Sequence, residues 1–391
     1  MIKSYGSQNL KNIKTSILNK IKNDQIITNG RYCKLFEKKI TSLLKSKYAV
    51  VCNNGTSAIM MAILALGHKN LVAILPNINF VASANIVSLL KGKIILCDIN
   101  KKTGMVDLSS FKNILKKCKK KKIKPNIFIP VHYAGDLVDL KEISKICLQN
   151  KIDIIEDGCH SFGSYKVLNS KKIIVGSCNF SKITTFSFHA VKNITTLEGG
   201  AITTNNKRIY EKLLLLRSHS LKQTNIIDPY KMIYPTLNFR MTEISALIGI
   251  EQLKNVNKFK SYRNKIVERY LSKLDDAGNY LKPLNFKNKA IFWHLFVVMI
   301  NNYKKKHNLM NFLKVNDIGS QIHYKPIYMH PVFKKNIIIN DCKNSNFFYK
   351  HQLTLPLHTL MTLKETDKIA DKIKKIQIFF TNISLPYLYI L

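Results

Sequence analysis

From about residue 48 the chain alternates short, nearly unbroken apolar runs with longer amphipathic segments. YAVVCNN (48–54), LVAILPN (71–77), KIILCDIN (93–100), IFIPVHY (127–133) and IDIIEDG (152–158) read as strands. GTSAIMMAILALG (55–67), NFVASANIVSLLKG (79–92), a segment ending near Lys122 and DLVDLKEISKICLQN (136–150) read as the helices between them. Strands that are apolar on both faces, divided by amphipathic helices, predict an α/β fold with a mostly parallel sheet covered on both sides.

After residue 175 the pattern changes. ITTFSF and GGAITTN are short strands with little between them, and a long helical stretch runs from about Thr242 to Leu274. FWHLFVVMI (292–300), a helix near 303–316 and SQIHY (320–324) then predict a smaller α+β domain. The expected division is a large domain over 1–250, N-terminal segment included, and a small C-terminal domain over 251–391 with an apolar tail, IFFTNISLPYLYIL (378–391). There is no internal repeat and no linker rich in Gly, Ser or Pro.

Composition narrows the class. With 391 residues, 46% of them apolar, the chain can build more than one core. No apolar run reaches the ~18–20 residues that span a bilayer. MIKSYGSQNLKN lacks the apolar stretch of a secretory signal, so a cytoplasmic protein without membrane partners is expected. In that setting the acceptor-like Asn382-Ile-Ser carries no glycan. The eight cysteines form no C-x-x-C pair and read as reduced, packed thiols rather than a disulfide framework or a metal site.

The formal charge of +40 has two readings. One is nucleic-acid binding through phosphate contacts. The other is drift in composition, since Lys, Ile and Asn are abundant together, as AT-rich codons dictate. The lysines are spread widely, and the densest run, KKCKKKKIK (116–124), closes a helix, where cations suit the dipole. No RNA-binding aromatic signature or zinc-finger spacing accompanies it. The expectation is no specific nucleic-acid partner, with anionic substrates favoured electrostatically.

Three strand ends carry candidate chemistry, and ligands of open α/β sheets bind beyond the carboxyl ends of strands. At Asn53-Asn54-Gly55-Thr56-Ser57 a strand turns into a helix, where free N–H groups and two hydroxyls suit a phosphate, or simply cap the helix. At Ile154-Ile155-Glu156-Asp157-Gly158-Cys159-His160 two carboxylates end a buried strand. A buried charge needs a cationic partner, whereas an exposed cap would not. In TTFSFHAVKNITTLEGG (184–200), Ser187 ends a strand and Lys192 sits in a Thr-rich loop facing the same cleft, or else solvent. A phosphate cradle, a buried acid and a lysine are together what pyridoxal 5'-phosphate requires. The lysine forms a Schiff base with the aldehyde, the acid keeps the pyridine nitrogen protonated, and hydroxyls with helix amides hold the phosphate.

On these motifs the chain resembles the DegT/DnrJ/StrS family of sugar-nucleotide aminotransferases, which have the fold-type I pyridoxal-phosphate fold. The likeness runs from ITNGRYCKLFEKKI (27–40) to LTLPLHTLMTLKE (353–365), through PNINFVASANIVSLLKGKIILCDI, IPVHYAGDLVDL and LNFRMTEISALIGIEQL. It implies that Lys192 is the Schiff-base lysine and proton shuttle, and that Asp157 pairs with the pyridine nitrogen. It places His160 by the cofactor hydroxyl, Thr56, Ser57 and Ser187 on the phosphate, and Phe80 on the ring. It implies that Asn238 reaches the phosphate of a neighbouring subunit, hence a homodimer with shared active sites. It puts His323 and Tyr324, in IHYKPIYMHPVF, on the substrate side.

LRSHS and HYKPIYMHPVF resemble the PseC-type branch most, which aminates C4 of a UDP-4-keto-6-deoxy-N-acetylhexosamine in pseudaminic acid synthesis with L-glutamate as donor. Other keto sugar nucleotides (aminated at C3, or dTDP-linked) are the alternative substrates. Sugar 3-dehydratases of the family carry His in place of the lysine. A non-enzymatic regulator on the same fold would have lost the lysine or the acid. The chain departs from the family pattern at four places: Ala190 for Pro, Leu197 for Gly, Gly158 for Ala or Cys, and Ser220 for Gly.

Overall fold

The computed structural model describes residues 2–4, 27–224, 229–275, 280–286 and 288–382. Most of the N-terminal segment, and the tail from 383 onward, lie outside the described residues.

The strands of the first half are β1 (Tyr48–Cys52), β2 (Val72–Pro76), β3 (Lys93–Cys97), β4 (Ile127–Phe128) and β5 (Asp153–Asp157). A hairpin, β6 (Tyr165–Leu168) and β7 (Lys171–Ile174), precedes β8 (Ile183–Ser187) and β9 (Gly200–Thr204). A second hairpin pairs β10 (Leu221–Gln223) with β11 (Tyr230–Met232). Then come β12 (Leu281–Pro283), β13 (Phe296–Ile300), β14 (Ile337–Asn340) and β15 (Gln352–Leu355).

Eight strands form one sheet in the order β1-β9-β8-β5-β4-β2-β3-β14. From β8 to β14 every pairing is parallel, and β9 runs antiparallel to both β8 and β1. The unbroken apolar runs have a direct cause. Val51, Ile74, Ile95 and Ile154 enter one core, while their neighbours Val50, Leu75, Leu96 and Ile155 enter the other. Successive strand residues point to opposite faces, so burial of both faces demands apolar residues at every position. Fully burying each such side chain is worth ~1.5–3 kcal/mol.

Beyond residue 250, β12, β13 and β15 form a separate three-stranded sheet, while β14 returns to pair with β3. The expected helix over 242–274 is two helices, Glu243–Lys254 and Val256–Leu274, that meet at Asn255. The expected strand over 127–133 stops after Phe128, because Pro130 has no N–H to donate to a ladder. Its carbonyl still accepts from Asp157 N at 2.8 Å. SQIHY forms no strand and contributes only the Gln321–Thr354 bridge. All eight cysteines are free thiols.

Candidate active site

The strand-end motifs converge on one cavity of about 540 Å³, lined by Thr56, Phe80, Asp157, His160, Ser187, Lys192, His323 and Tyr324. Of the expected site residues, Ser57 and Asn238 do not line it.

At the end of β1 the N-cap is Asn54, whose side chain accepts from Ser57 N at 2.8 Å. Ser57 is thereby drawn into the cap and buried, while Thr56 stays exposed to the cavity. The N–H groups of Gly55 and Thr56 precede the hydrogen-bond ladder of helix Gly55–Leu66, so the positive end of the helix opens on the site. A Cβ on Gly55 would fall 2.7 Å from Ser187 Cβ, and one on Gly200 would fall 2.4 Å from Asn54 O. Glycine at both places lets the turn close against the ends of β8 and β9 and brings Thr56 and Ser187 into one cradle.

At the end of β5 the two consecutive carboxylates part company, as strand geometry requires. Glu156 accepts from His132 Nε2 at 2.7 Å and from Ser181 Oγ. Asp157 enters the cavity, 5% exposed, and accepts from Cys159 N at 3.1 Å. The cationic group that faces it is Lys192. Burial lowers the Lys192 pKa, while the nearby Asp157 carboxylate opposes that shift. Burial and the charge of Asp157 drive the Cys159 thiol well up.

The Lys192 loop is held by the threonines that made it look merely polar. Thr195 Oγ1 donates to Phe188 O and accepts from Leu197 N, and Thr196 Oγ1 donates to Glu198 O. Thr195 and Thr196 are buried. Leu197 adopts φ +70° and Ser220 φ +51°. Two departures from the family pattern thus fall on left-handed backbone, which explains the glycine usual there. At Gly158 a Cβ would lie 2.7 Å from Phe186 Cε1, so glycine here accommodates that ring.

On the opposite wall, Tyr324 OH and His160 Nε2 are 2.8 Å apart. The Tyr324 ring leans on Phe80, with centroids 5.8 Å apart. His323 N donates to Gln352 Oε1 at 3.2 Å, and its ring Nδ1 bonds Thr354 Oγ1 at 2.9 Å. Burial and the Lys192 charge keep His160 and His323 neutral, His323 at about 4. Burial also raises the Tyr324 hydroxyl. Asn238 is exposed, outside the cavity, with its Oδ1 accepting from Arg240 N at 3.1 Å.

Sequence reasoning passed over Asn79, Asn193 and His294. Asn79 and His294 line the cavity, and Asn193 is bonded to His294. A signal existed, since each is a polar residue beside a motif residue or inside an apolar run, as His294 is in FWHLFVVMI.

Fold and cavity together define an α/β enzyme with a lysine and a carboxylate poised at strand ends. Residues 8–374 match the model of the DegT/DnrJ/EryC1/StrS aminotransferase family. The chain belongs to that family, whose aminotransferases depend on pyridoxal 5'-phosphate. It is 32% identical over 372 residues to the UDP-4-amino-4,6-dideoxy-N-acetyl-beta-L-altrosamine transaminase of Campylobacter jejuni, covering 94% of this chain and 96% of that one. Among solved structures it is similar to Helicobacter pylori PseC, an aminotransferase involved in the biosynthesis of pseudoaminic acid (TM-score 0.87, 27% identity, 97% and 100% of the two chains). It shares its fold with a GDP-4-keto-6-deoxymannose-3-dehydratase (TM-score 0.81, 24% identity, 95% and 100% covered). The residues present fit the cofactor. His160 Nδ1 is buried with no partner among the described residues, as a group awaiting the cofactor hydroxyl would be. The Gly55–Ser187 cradle sits at a helix N-terminus, where a phosphate is stabilised.

Among the described residues no helix is long and apolar enough to cross a membrane.

Proposed function

We propose that the protein transfers the amino group of L-glutamate to C4 of a UDP-linked 4-keto-6-deoxy-N-acetylhexosamine, a pseudaminic-acid-type step. One observation carries the reading: Lys192 and Asp157 share a single cavity, and burial there disfavours the lysine ammonium. The C. jejuni and H. pylori relatives support the choice of sugar.

Bound pyridoxal phosphate supplies an electron-accepting ring that stabilises negative charge on the carbon that gains or loses a proton. Asp157 pairs with its ring nitrogen and His160 with its hydroxyl. Thr56 and Ser187 bind the phosphate from the cradle, with Ser57 behind them in the cap, and Phe80 covers the ring. Lys192 Nζ takes a proton from glutamate's Cα and delivers one to the sugar carbon. It takes a proton only as the neutral amine, which burial favours, and it delivers one as the ammonium so formed. His323 and Tyr324 line the substrate side.

Asn238 serves the phosphate of a second copy, making a homodimer with shared sites. Its exposure supports this, as do the exposed side chains of Tyr230, Met232 and Leu237 in the same stretch of chain. The same reading takes 1–250 as the cofactor-binding domain and 251–391 as the smaller one, with β14 returned to the large sheet. Lys192 also argues against the dehydratase reading that the shared fold leaves open.

The test is the absorption spectrum of protein reconstituted with pyridoxal phosphate. Wild type is expected to show a visible band that fades on adding L-glutamate. Borohydride reduction should tag Lys192 in a peptide map, and Lys192→Ala should show neither effect. Wild type without the band, or a tag on another lysine, overturns the reading.

A further inference from the structure

We propose that Asn79 is a substrate-binding residue whose side-chain amide donates a hydrogen bond to an acceptor oxygen of the molecule undergoing amino transfer; this rests on the reading of the cavity given above. Asn79 lines the cavity and is 2% exposed. Among the described residues its Nδ2 has no acceptor. A buried donor without a partner costs stability in the ligand-free protein, so its retention calls for a ligand that satisfies it.

The residues on either side of Asn79 are held in place. Asn77 is clamped, with its N–H on Cys97 O at 3.0 Å and its carbonyl accepting from Ile327 N at 2.9 Å. Its Nδ2 donates to Asn340 Oδ1 at 3.0 Å. Ile78 is fully buried, and Phe80 leans on Tyr324. The 77–80 segment is thus pinned between the ends of β2, β3 and β14 and the 324–327 stretch.

Elimination assigns the amide to substrate rather than cofactor. On that reading the phosphate, ring nitrogen, hydroxyl and aldehyde would each be met by other residues of the site: Thr56 and Ser187, Asp157, His160 and Lys192. Asn79 remains, next to Phe80, with a neutral donor that adds no positive charge beside Lys192. Acceptor oxygens occur in both substrates, as the carboxylates of the amino donor and as the oxygen substituents of the keto sugar. Both molecules pass through the same cavity in turn.

The experiment separates the half-reactions in reconstituted full-length protein. One arm titrates L-glutamate into the pyridoxal-phosphate form. The other titrates UDP-4-keto-6-deoxy-N-acetylhexosamine into the amino form of the cofactor. Asn79→Leu is expected to bind cofactor with the wild-type spectrum, and to melt no lower than wild type before cofactor is added. It should need about tenfold more of one substrate for half-maximal rate, the loss of one hydrogen bond. Asn79→Ser, which restores a donor, should recover part of this. The arm that shifts identifies which oxygen is bound. Unchanged concentration dependence in both arms overturns the proposal while leaving the transaminase reading intact. So does a lower melting temperature with loss of the cofactor band, which marks a structural residue. If wild type itself binds no cofactor, both fail together.

Discussion

Asn193 and His294 are joined by a 3.2 Å hydrogen bond whose direction the neighbouring contacts fix. Asn193 Nδ2 donates to Phe292 O at 2.7 Å and to His160 O at 3.3 Å, so its Oδ1 must accept. His294 Nδ1 therefore carries the hydrogen, and its Nε2 is left as an acceptor. The residue after Lys192 is in this way bolted to the approach to β13 and to the turn after β5.

Replacing Asn193 should therefore misplace the lysine without touching the cofactor. Asn193→Ala leaves two buried carbonyls and one imidazole N–H without partners, a loss of roughly 2–4 kcal/mol. The expected outcome is a lower melting temperature and a kcat reduced at least tenfold. Borohydride labelling of Lys192 should remain but proceed more slowly. Unchanged kcat would show that the loop holds its place without this bond.

Stability should fall as pH drops below neutral. The His323 pKa is lowered from 6.5 to about 4 by burial and by the Lys192 charge. Above pH 6.5 the residue is neutral in both folded and unfolded chains and contributes nothing. Between pH 6.5 and about 4 the unfolded chain binds a proton that the folded one refuses, costing up to ~3 kcal/mol. His160 and His294, also lowered, act in the same direction. Urea midpoints measured from pH 7.5 to 4.5 should decline, with a shallower decline in His323→Asn. An equal slope in the variant would remove His323 from the cause.

Leu197→Gly and Ser220→Gly should each stabilise the protein by about 1 kcal/mol. Both residues occupy left-handed backbone, which costs roughly 1–2 kcal/mol for a residue with a Cβ. The Ser220 hydroxyl is also buried, with no partner among the described residues. Thermal melts would reveal the gain, and a loss at either position would count against backbone strain as the reason glycine is usual there.

Glu243 should prove structural although it lies within the LNFRMTE motif. Its carboxylate, fully buried, accepts from Gly30 N, Tyr32 N and Cys33 N at 2.6–3.1 Å and caps helix Arg31–Leu44. Glu243→Ala is expected to cost about 3 kcal/mol through these charge-assisted bonds. In folded protein the spectrum of bound cofactor should be unchanged. A spectral change without a stability loss would assign Glu243 to the site instead.

The sequence by itself determined the parallel sheet, because strands buried on both faces write their presence as unbroken apolar runs, and β2, β3 and β5 fall where those runs lie. It also marked Asp157 and Lys192, since strand ends are where α/β sheets hold ligands. What only the tertiary structure decided is how residues distant in the chain complete those motifs. The turn after β1, capped locally by Asn54, comes to lie against Ser187 at the end of β8 and Gly200 at the start of β9. His294 and Tyr324 reach His160 from more than a hundred residues away, and no local periodicity records such a contact. Strand β14 rejoins the large sheet although helices and strands of the second half surround it in sequence, because its pairing partner β3 is long-range. Local pattern reports which face of an element is buried. Which elements meet, and so which side chains share a cavity, is set by the packing of the whole chain.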